Sequence, residues 1–209
     1  MGRWRDCAES DGAPSTVADL AAASRVTSIA ALWRRLDAPG HDACRLDEAE
    51  DGWLLYGAAV FRLDGAPARL DYFVNCDRAW RARSASVEGW VGAQPIAITI
   101  ARAADGRWLL DDEHVAGLDD CVDVDFGFTP ATNLLQLRRV GLAVGEAADV
   151  PVAWLDVPAN TLERLEQRYH RLTEATYDYE SRRFSYHAVL ATTTDGFVRR
   201  YPGLWELEG

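Results

Sequence analysis

The sequence has no lysine: all 22 of its basic residues are arginine, against 33 acidic residues, and the formal net charge is −11. A surface with this charge repels nucleic-acid phosphates and anionic lipid head groups at long range. We therefore expect no binding to DNA or RNA. Arginine can hold hydroxyl-rich ligands with its planar fork of donors, but a genome-level codon bias explains the absence of lysine more simply.

Motifs that would indicate a metal or cofactor enzyme are also missing. No CxxC, HxH or HExxH spacing occurs, nor a GxSxG elbow or a glycine-rich phosphate loop. The sequence therefore predicts no metal site, no cofactor and no catalytic triad. The cysteines and histidines concerned are scattered along the chain: Cys7, Cys44, Cys76 and Cys121, and His41, His114, His170 and His187.

The sequence contains neither a stretch typical of a signal peptide nor an apolar run long enough to span a membrane. We therefore expect a cytoplasmic protein with reduced thiols. Hydrophobic residues make up 48% of the 209 residues, which is typical of a globular domain with a sizeable core.

Short β-segments separated by turn signals dominate the chain after an amino-terminal extension. Residues 1–28 are rich in Ala, Ser, Gly and Asp, and "TVADLAAASRVTSIAALW" could form one modest helix containing Ile29 and Leu32. Residues 29–209 are predicted to form a single, mainly β domain. Asp-Gly pairs mark hairpins at 64–65, 105–106 and 195–196. Many closely spaced strands indicate a large antiparallel sheet, a sandwich or a barrel.

Two later segments matter for the site. In "TLERLEQRYHRLTEATYDYE" the apolar residues fit one face of a helix, and the same residues fit a long strand. Periodicity therefore does not decide whether residues 162–172 form a helix or a strand. "NLLQLRRVGL" is predicted to be a strand. Arg138 and Arg139 would then point to opposite faces, and only one could share a face with a given aspartate.

The segment "CVDVDFGFTPATN", residues 121–133, holds the main candidate site residues. In a strand, Asp123 and Asp125 share one face and the apolar residues between them take the other. This face is either solvated or the polar lining of a cavity. A third interpretation is the acid–base pair of a hydrolase, because residues two apart in a strand lie about 7 Å apart, near the carboxylate spacing of inverting glycosidases. Thr129 and Asn133 follow around Pro130, which is typical of a structural turn.

Six tryptophans recur near the ends of predicted strands, among them Trp80 and Trp90. They either fill the core or line a wide apolar cavity or a stacking surface for sugar rings.

Five segments in order, "LWRRLD", "RLDYFVNCDRAW", "CVDVDFGFTPATN", "LEQRYHRL" and "DGFVRRYPGLW", resemble a bacterial glycolipid-binding domain family, formerly a domain of unknown function. The resemblance runs from about residue 32 to 205. It implies a strongly curved antiparallel sheet, a half-barrel similar to the lipoprotein carriers of the periplasm, with a concave face that holds a lipid or glycolipid. It also favours a strand over residues 162–172.

The main hypothesis is therefore a binding module for an amphiphilic small molecule, with an apolar concavity and a polar rim. Its candidate ligand-binding residues are Asp123, Asp125, Thr129, Asn133, Arg138, Trp80 and Trp90, with Arg139 as the alternative to Arg138. Asp123 and Asp125 are expected to be solvated and charged, and to bind without breaking bonds. A hydrolase using the aspartate pair and a protein-interaction scaffold are the alternatives.

Overall fold

The computed structural model describes residues 28–209, and every strand within them joins one large sheet. The sheet has 15 strands in the order β8-β7-β6-β5-β4-β3-β2-β1-β15-β14-β13-β12-β11-β10-β9. It has two free ends, β8 and β9, and so is not closed. The mainly β, open-sheet architecture predicted from the sequence is confirmed. The predicted extension over residues 1–28 lies outside the described residues except for Ser28.

The strands and the helix have the following bounds. The first eight strands are β1 Ser28–Arg35, β2 Gly40–Ala49, β3 Gly52–Leu63, β4 Ala66–Asp77, β5 Ala82–Val91, β6 Gln94–Arg102, β7 Trp108–Leu110 and β8 Glu113–Val115. After a crossover segment, residues 116–122, come β9 Asp123–Phe126, the helix α1 Asn133–Val140, β10 Ala147–Asp156, β11 Thr161–Thr173, β12 Thr176–Ser181, a single 3-10 turn Arg182–Phe184, β13 Tyr186–Thr192, β14 Val198–Tyr201 and β15 Trp205–Leu207.

Tight turns join neighbouring strands at the predicted Asp-Gly positions. Between β3 and β4 the loop is only Asp64 and Gly65, which have φ angles of 49° and 81°. Positive φ at both positions is what a type I′ hairpin turn requires, and its twist matches that of the flanking strands. The predicted hairpins at 105–106 and 195–196 likewise join β6 to β7 and β13 to β14.

Residues 161–173 form the long strand β11, as the resemblance implied. The segment pairs with β10 on one side and β12 on the other, so both edges of its backbone are hydrogen-bonded. Leu165, Gln167 and Tyr169 alternate with more exposed neighbours and bury their side chains on one face. The period-2 pattern therefore describes this segment, and the helical spacing of its leucines is coincidental.

Two predictions about secondary structure are wrong. The modest helix predicted to include Ile29 and Leu32 is replaced there by β1, which pairs with β2 and β15. The strand predicted over "NLLQLRRVGL" is the helix α1. It ends at Gly141, whose φ of 54° is left-handed and whose N–H donates to the Leu137 carbonyl at 3.1 Å. Arginines in its last turn complement the helix dipole.

The chain crosses the inside of the curved sheet between β8 and β9. On the way, the Val122 carbonyl accepts a hydrogen bond from the Ala82 N–H, and the Cys121 carbonyl accepts one from Trp108 Nε1. β9 then pairs in parallel with β10. Strand β9 is the last strand at one end of the sheet, yet it starts beside β5, which lies among the strands β1–β8 at the other end. The sheet must therefore bend strongly to bring β9 and β5 together.

Strand β9 separates two apolar cores. Val124, Phe126 and Phe128 pack into the core formed with β1–β8, where the Phe126 ring stands edge-on to Tyr72 at a centroid distance of 6.1 Å. The other face of β9 carries the aspartates towards α1 and β11. A second core of Leu137, Val152, Leu165 and neighbouring aromatic rings lies on that side. The alternation predicted for residues 121–128 is confirmed within β9, residues 123–126, where both faces are covered, whereas Cys121 packs in the same core as Val124 and Phe126.

Candidate functional site

A concavity with a volume of about 500 Å³ opens between the turn of the β3–β4 hairpin and the end of β10. Aliphatic and aromatic side chains form most of its surface, including Leu63, Phe128, Trp154, Leu165, Tyr179, Phe184 and Leu204. Apart from three tyrosines, Tyr179, Tyr186 and Tyr201, the polar side chains that line it are Arg35, Asp64, Asp125, Asp156 and Ser181. A concave, mostly apolar site of this volume with a few polar groups is typical of small-molecule binding.

One wall of the cavity is an aromatic corner built from β10 and the 3-10 turn that follows β12. The Trp154 indole on β10 meets the Phe184 ring edge-to-face, with centroids 5.3 Å apart, and Phe184 is 52% exposed. The Arg183 guanidinium lies 4.9 Å from the Trp154 ring centroid. Gly127 leaves room for this indole, because a Cβ at position 127 would lie 2.8 Å from Trp154 Nε1. The glycine and the tryptophan therefore set the shape of this wall together.

Asp125 lies on the cavity wall and is only 7% exposed. Its two carboxylate oxygens accept hydrogen bonds from Thr132 Oγ1 at 2.7 Å and from Gln167 Nε2 at 3.0 Å. Burial raises the pKa of Asp125 above its ordinary value, against the opposing effect of these hydrogen bonds. The expectation of a solvated, freely charged carboxylate is wrong for this residue, because α1 and β11 cover the face of β9 that carries it.

Asp123 is also buried, and its carboxylate forms an ion pair with an arginine. Arg139 Nε and Nη2 donate to the two oxygens of Asp123 over distances of 2.6–2.9 Å, and the carboxylate is 0% exposed. Burial raises the pKa of Asp123, while the Arg139 guanidinium opposes this shift. Helix α1 makes the pairing possible because it points Arg139 inward. The expected solvation of Asp123 is therefore wrong, and the pair joins the helix to β9.

Thr129 and Asn133 are also buried and hydrogen-bonded, and Asn133 joins the network of Asp125 through Tyr169 and Gln167. Thr129 Oγ1 donates to Asp42 Oδ2, which also accepts from Tyr72 Oη at 3.0 Å. Burial raises the pKa of Asp42 to about 7. Asn133 Nδ2, in the first turn of α1, donates to Tyr169 Oη at 2.8 Å. Both side chains therefore hold the segment after β9 against the sheet.

The remaining predicted residues lie away from the cavity. Arg138 Nη2 donates to the Asp195 carbonyl at 2.7 Å, and its guanidinium lies 5.7 Å from the centroid of Trp80. Trp80 stacks on Trp53 with centroids 4.2 Å apart. Trp90 is 39% exposed on β5. Among the predicted ligand-binding residues, the cavity is lined by Asp125 alone. Binding by the others stays a prediction.

Sequence reasoning missed most of the residues that build the cavity. Arg35, Leu63, Leu165, Phe184 and Leu204 come from five separate places along the chain. No spacing could have grouped them. A partial signal existed for α1, since Pro130 precedes it, Arg138 and Arg139 lie in its last turn, and Gly141 follows; these are ordinary start and stop signals of a helix.

Within residues 28–209, no group of three or more His, Cys, Asp or Glu side chains is placed to hold a metal ion. The same residues include no helix that is long and apolar enough to cross a membrane. Cys44, Cys76 and Cys121 are buried free thiols.

The comparisons with known proteins agree with this architecture. A family model described as "putative glycolipid-binding" matches residues 30–207. A crystal structure of a DUF1089 family protein from Pseudomonas aeruginosa, at 1.80 Å resolution, is similar over 98% of this chain and 99% of that chain, with 26% sequence identity and a TM-score of 0.69. No protein with a curated description matches. Because the family model spans most of the sequence, the chain belongs to this glycolipid-binding family, formerly DUF1089.

Proposed function

We propose that the protein binds an amphiphilic small molecule, a lipid or glycolipid, with its apolar part in the cavity beside Trp154. The observation that carries the proposal is the cavity itself: about 500 Å³, mostly apolar and aromatic, with polar side chains at few points. The family description supports an amphiphilic ligand. The polar rim predicted from the sequence remains part of the proposal, but with different residues. Arg35, Asp64 and Asp156 line the cavity, whereas most of the predicted rim residues do not.

The energetics favour such a ligand. Each methylene removed from water contributes about 0.8 kcal/mol, so a chain that buries about six methylenes contributes about 5 kcal/mol before the costs of association. The Phe184 and Trp154 rings extend the apolar surface to the mouth, where a ligand enters. The cavity is concave and not flat, which favours a small molecule over the protein-interaction scaffold.

The hydrolase alternative finds less support. An acid–base pair needs two carboxyls that reach one substrate. Asp123 has both oxygens engaged by Arg139, and of the two aspartates only Asp125 lines the cavity. The bidentate ion pair would have to break before Asp123 could take part in proton transfer.

Isothermal titration with decyl maltoside below its critical micelle concentration tests the proposal, alongside native mass spectrometry for a co-purified lipid. Gly127→Leu places a side chain against Trp154 and into the cavity, and we expect it to abolish binding. Val60→Leu is the matched control, because Val60 is 57% exposed and does not line the cavity. Equal binding by wild type and Gly127→Leu, or no binding by the wild type, would refute the assignment of the cavity.

A further inference from the structure

A carboxylate stands on each side of the mouth of the cavity. Asp64 lies in the turn between β3 and β4, Asp156 is the last residue of β10, and both line the cavity. Neither side chain forms an ion pair with any of residues 28–209, and Asp156 accepts a long hydrogen bond, 3.5 Å, from the Ala159 N–H. The polar end of an amphiphile whose apolar part fills the cavity therefore meets two unpaired carboxylates.

The arginines near this mouth do not balance the two carboxylates. Arg35 Nε and Nη2 donate to the two oxygens of Asp37 at 2.7 and 2.9 Å, and Arg183 pairs with Glu163. Arg62 forms no ion pair in the described part of the chain, but its exposed side chain lies outside the cavity lining and donates to a backbone carbonyl of the β3–β4 turn. Together with the net charge of −11, this arrangement gives the mouth a negative potential.

Aromatic surface adjoins the same mouth. The Phe184 ring is 52% exposed and meets the Trp154 indole edge-to-face. The face of an aromatic ring attracts a cation, and proteins bind quaternary ammonium groups with such rings. A cation already uses part of this surface, because the Arg183 guanidinium lies 4.9 Å from the Trp154 ring centroid. The rings and the carboxylates therefore favour the same kind of head group, one with a positive charge.

Resting on the proposed function, we propose that the cavity selects amphiphiles whose polar end carries a positive charge, with an ammonium group at the mouth between Asp64 and Asp156 and beside Phe184. Coulomb attraction does not require direct contact with both carboxylates, because at physiological salt it is screened only beyond about 8 Å. A negatively charged head group is repelled by the same potential, and an uncharged sugar gains little from it. The apolar chain provides the affinity, and the mouth provides the selectivity.

Three ligands with the same ten-carbon chain separate these cases. Isothermal titration of the wild type at pH 7 and low salt, below the critical micelle concentrations, compares decyltrimethylammonium, decyl maltoside and decyl sulfate. We expect the ammonium to bind about fivefold more tightly than the maltoside, the effect of two exposed charge interactions, and the sulfate to bind weakest. Ammonium binding no tighter than maltoside binding would overturn the inference and leave the proposed function intact. Failure of all three ligands to bind would contradict the proposed function itself.

A double variant assigns the preference to the two carboxylates. Asp64→Asn suits the turn, because asparagine tolerates the φ of 49°, and Asp156→Asn keeps the shape of the side chain. Together they should lower the affinity for decyltrimethylammonium about fivefold and leave the affinity for decyl maltoside unchanged. The matched control joins Asp112→Asn and Asp119→Asn, which remove the same charge at exposed positions outside the lining. Equal ammonium affinity in the two double variants would overturn the inference.

Gly127→Leu separates binding in the cavity from attraction of the ammonium to the acidic surface. The leucine side chain lies against Trp154 and fills the cavity, so this variant should lose the ammonium as well as the maltoside. Ammonium affinity equal to that of the wild type would place the cation elsewhere and overturn the inference. Urea unfolding of every variant checks that a loss of binding is not a loss of fold.

Discussion

Replacing Asp42 by asparagine tests whether the buried polar cluster under β9 holds a proton. Asp42 is 0% exposed, and one of its oxygens, Oδ1, has no hydrogen-bond partner among residues 28–209. Its other oxygen accepts from Thr129 and Tyr72. No cation compensates the carboxylate charge among the groups that shift its pKa, so burial raises the pKa of Asp42 from 3.8 to about 7. Asparagine keeps the shape and removes the titration.

The sign of the pH effect follows from the direction of this shift. The folded state holds the proton of Asp42 more tightly than the unfolded chain does, so between pH 3.8 and about 7 unfolding releases a proton. The contribution of Asp42 to stability is therefore greatest below pH 3.8 and is lost as the pH rises through 7. At 1.36 kcal/mol per pH unit, the whole window corresponds to about 4 kcal/mol.

Urea unfolding at pH 5.5 and pH 8 measures the accessible part of this window. We expect the free energy of unfolding of the wild type to fall by about 2 kcal/mol more than that of Asp42→Asn between these two pH values. Buried groups such as Asp123 and Asp125 titrate in both proteins, so they cancel in the difference. Asp71→Asn, at an exposed carboxyl, serves as the control and should track the wild type. A difference between wild type and Asp42→Asn that does not change with pH would refute the reasoning.

Three further perturbations test the fold, each by urea unfolding. Arg139→Ala leaves the buried Asp123 carboxylate unpaired and should lower the free energy of unfolding by about 3 kcal/mol. Arg138→Ala loses an exposed hydrogen bond and should lower it by less than about 1 kcal/mol. Equal losses in the two variants would contradict the ion-pair assignment. Leu190→Ala should cost about 3 kcal/mol because Leu190 is 0% exposed, and Val189→Ala, next to it on β13 and 47% exposed, should cost less than about 1 kcal/mol; the reverse order would put the wrong face of β13 inward. Gly65→Val should cost about 1 kcal/mol or more, since valine tolerates the φ of 81° poorly, and an unchanged stability would contradict the left-handed turn.

The sequence by itself determined the class of the fold and much of the order of its elements. Asp-Gly pairs indicated hairpins because few residues other than glycine, asparagine and aspartate tolerate positive φ, and that rule is local. The alternation in residues 121–128 separated Val124 and Phe126 from Asp123 and Asp125 because side-chain direction in a strand depends only on position along it. Residues 161–173 needed the family resemblance, since their apolar spacing fits a helix as well as a strand.

Only the tertiary structure decided what covers each face. The alternation shows that the aspartates share a face but not whether water, a helix or a ligand meets it. Here α1 packs over β9, brings Arg139 to Asp123 and leaves Asp125 on the wall of a cavity. The cavity forms where β9 and the residues after it meet the β3–β4 turn, the end of β10 and the 3-10 turn. The residues that line it, the first being Arg35 and the last Leu204, are therefore brought together by contacts between segments that are far apart in sequence. Local sequence patterns do not encode such contacts.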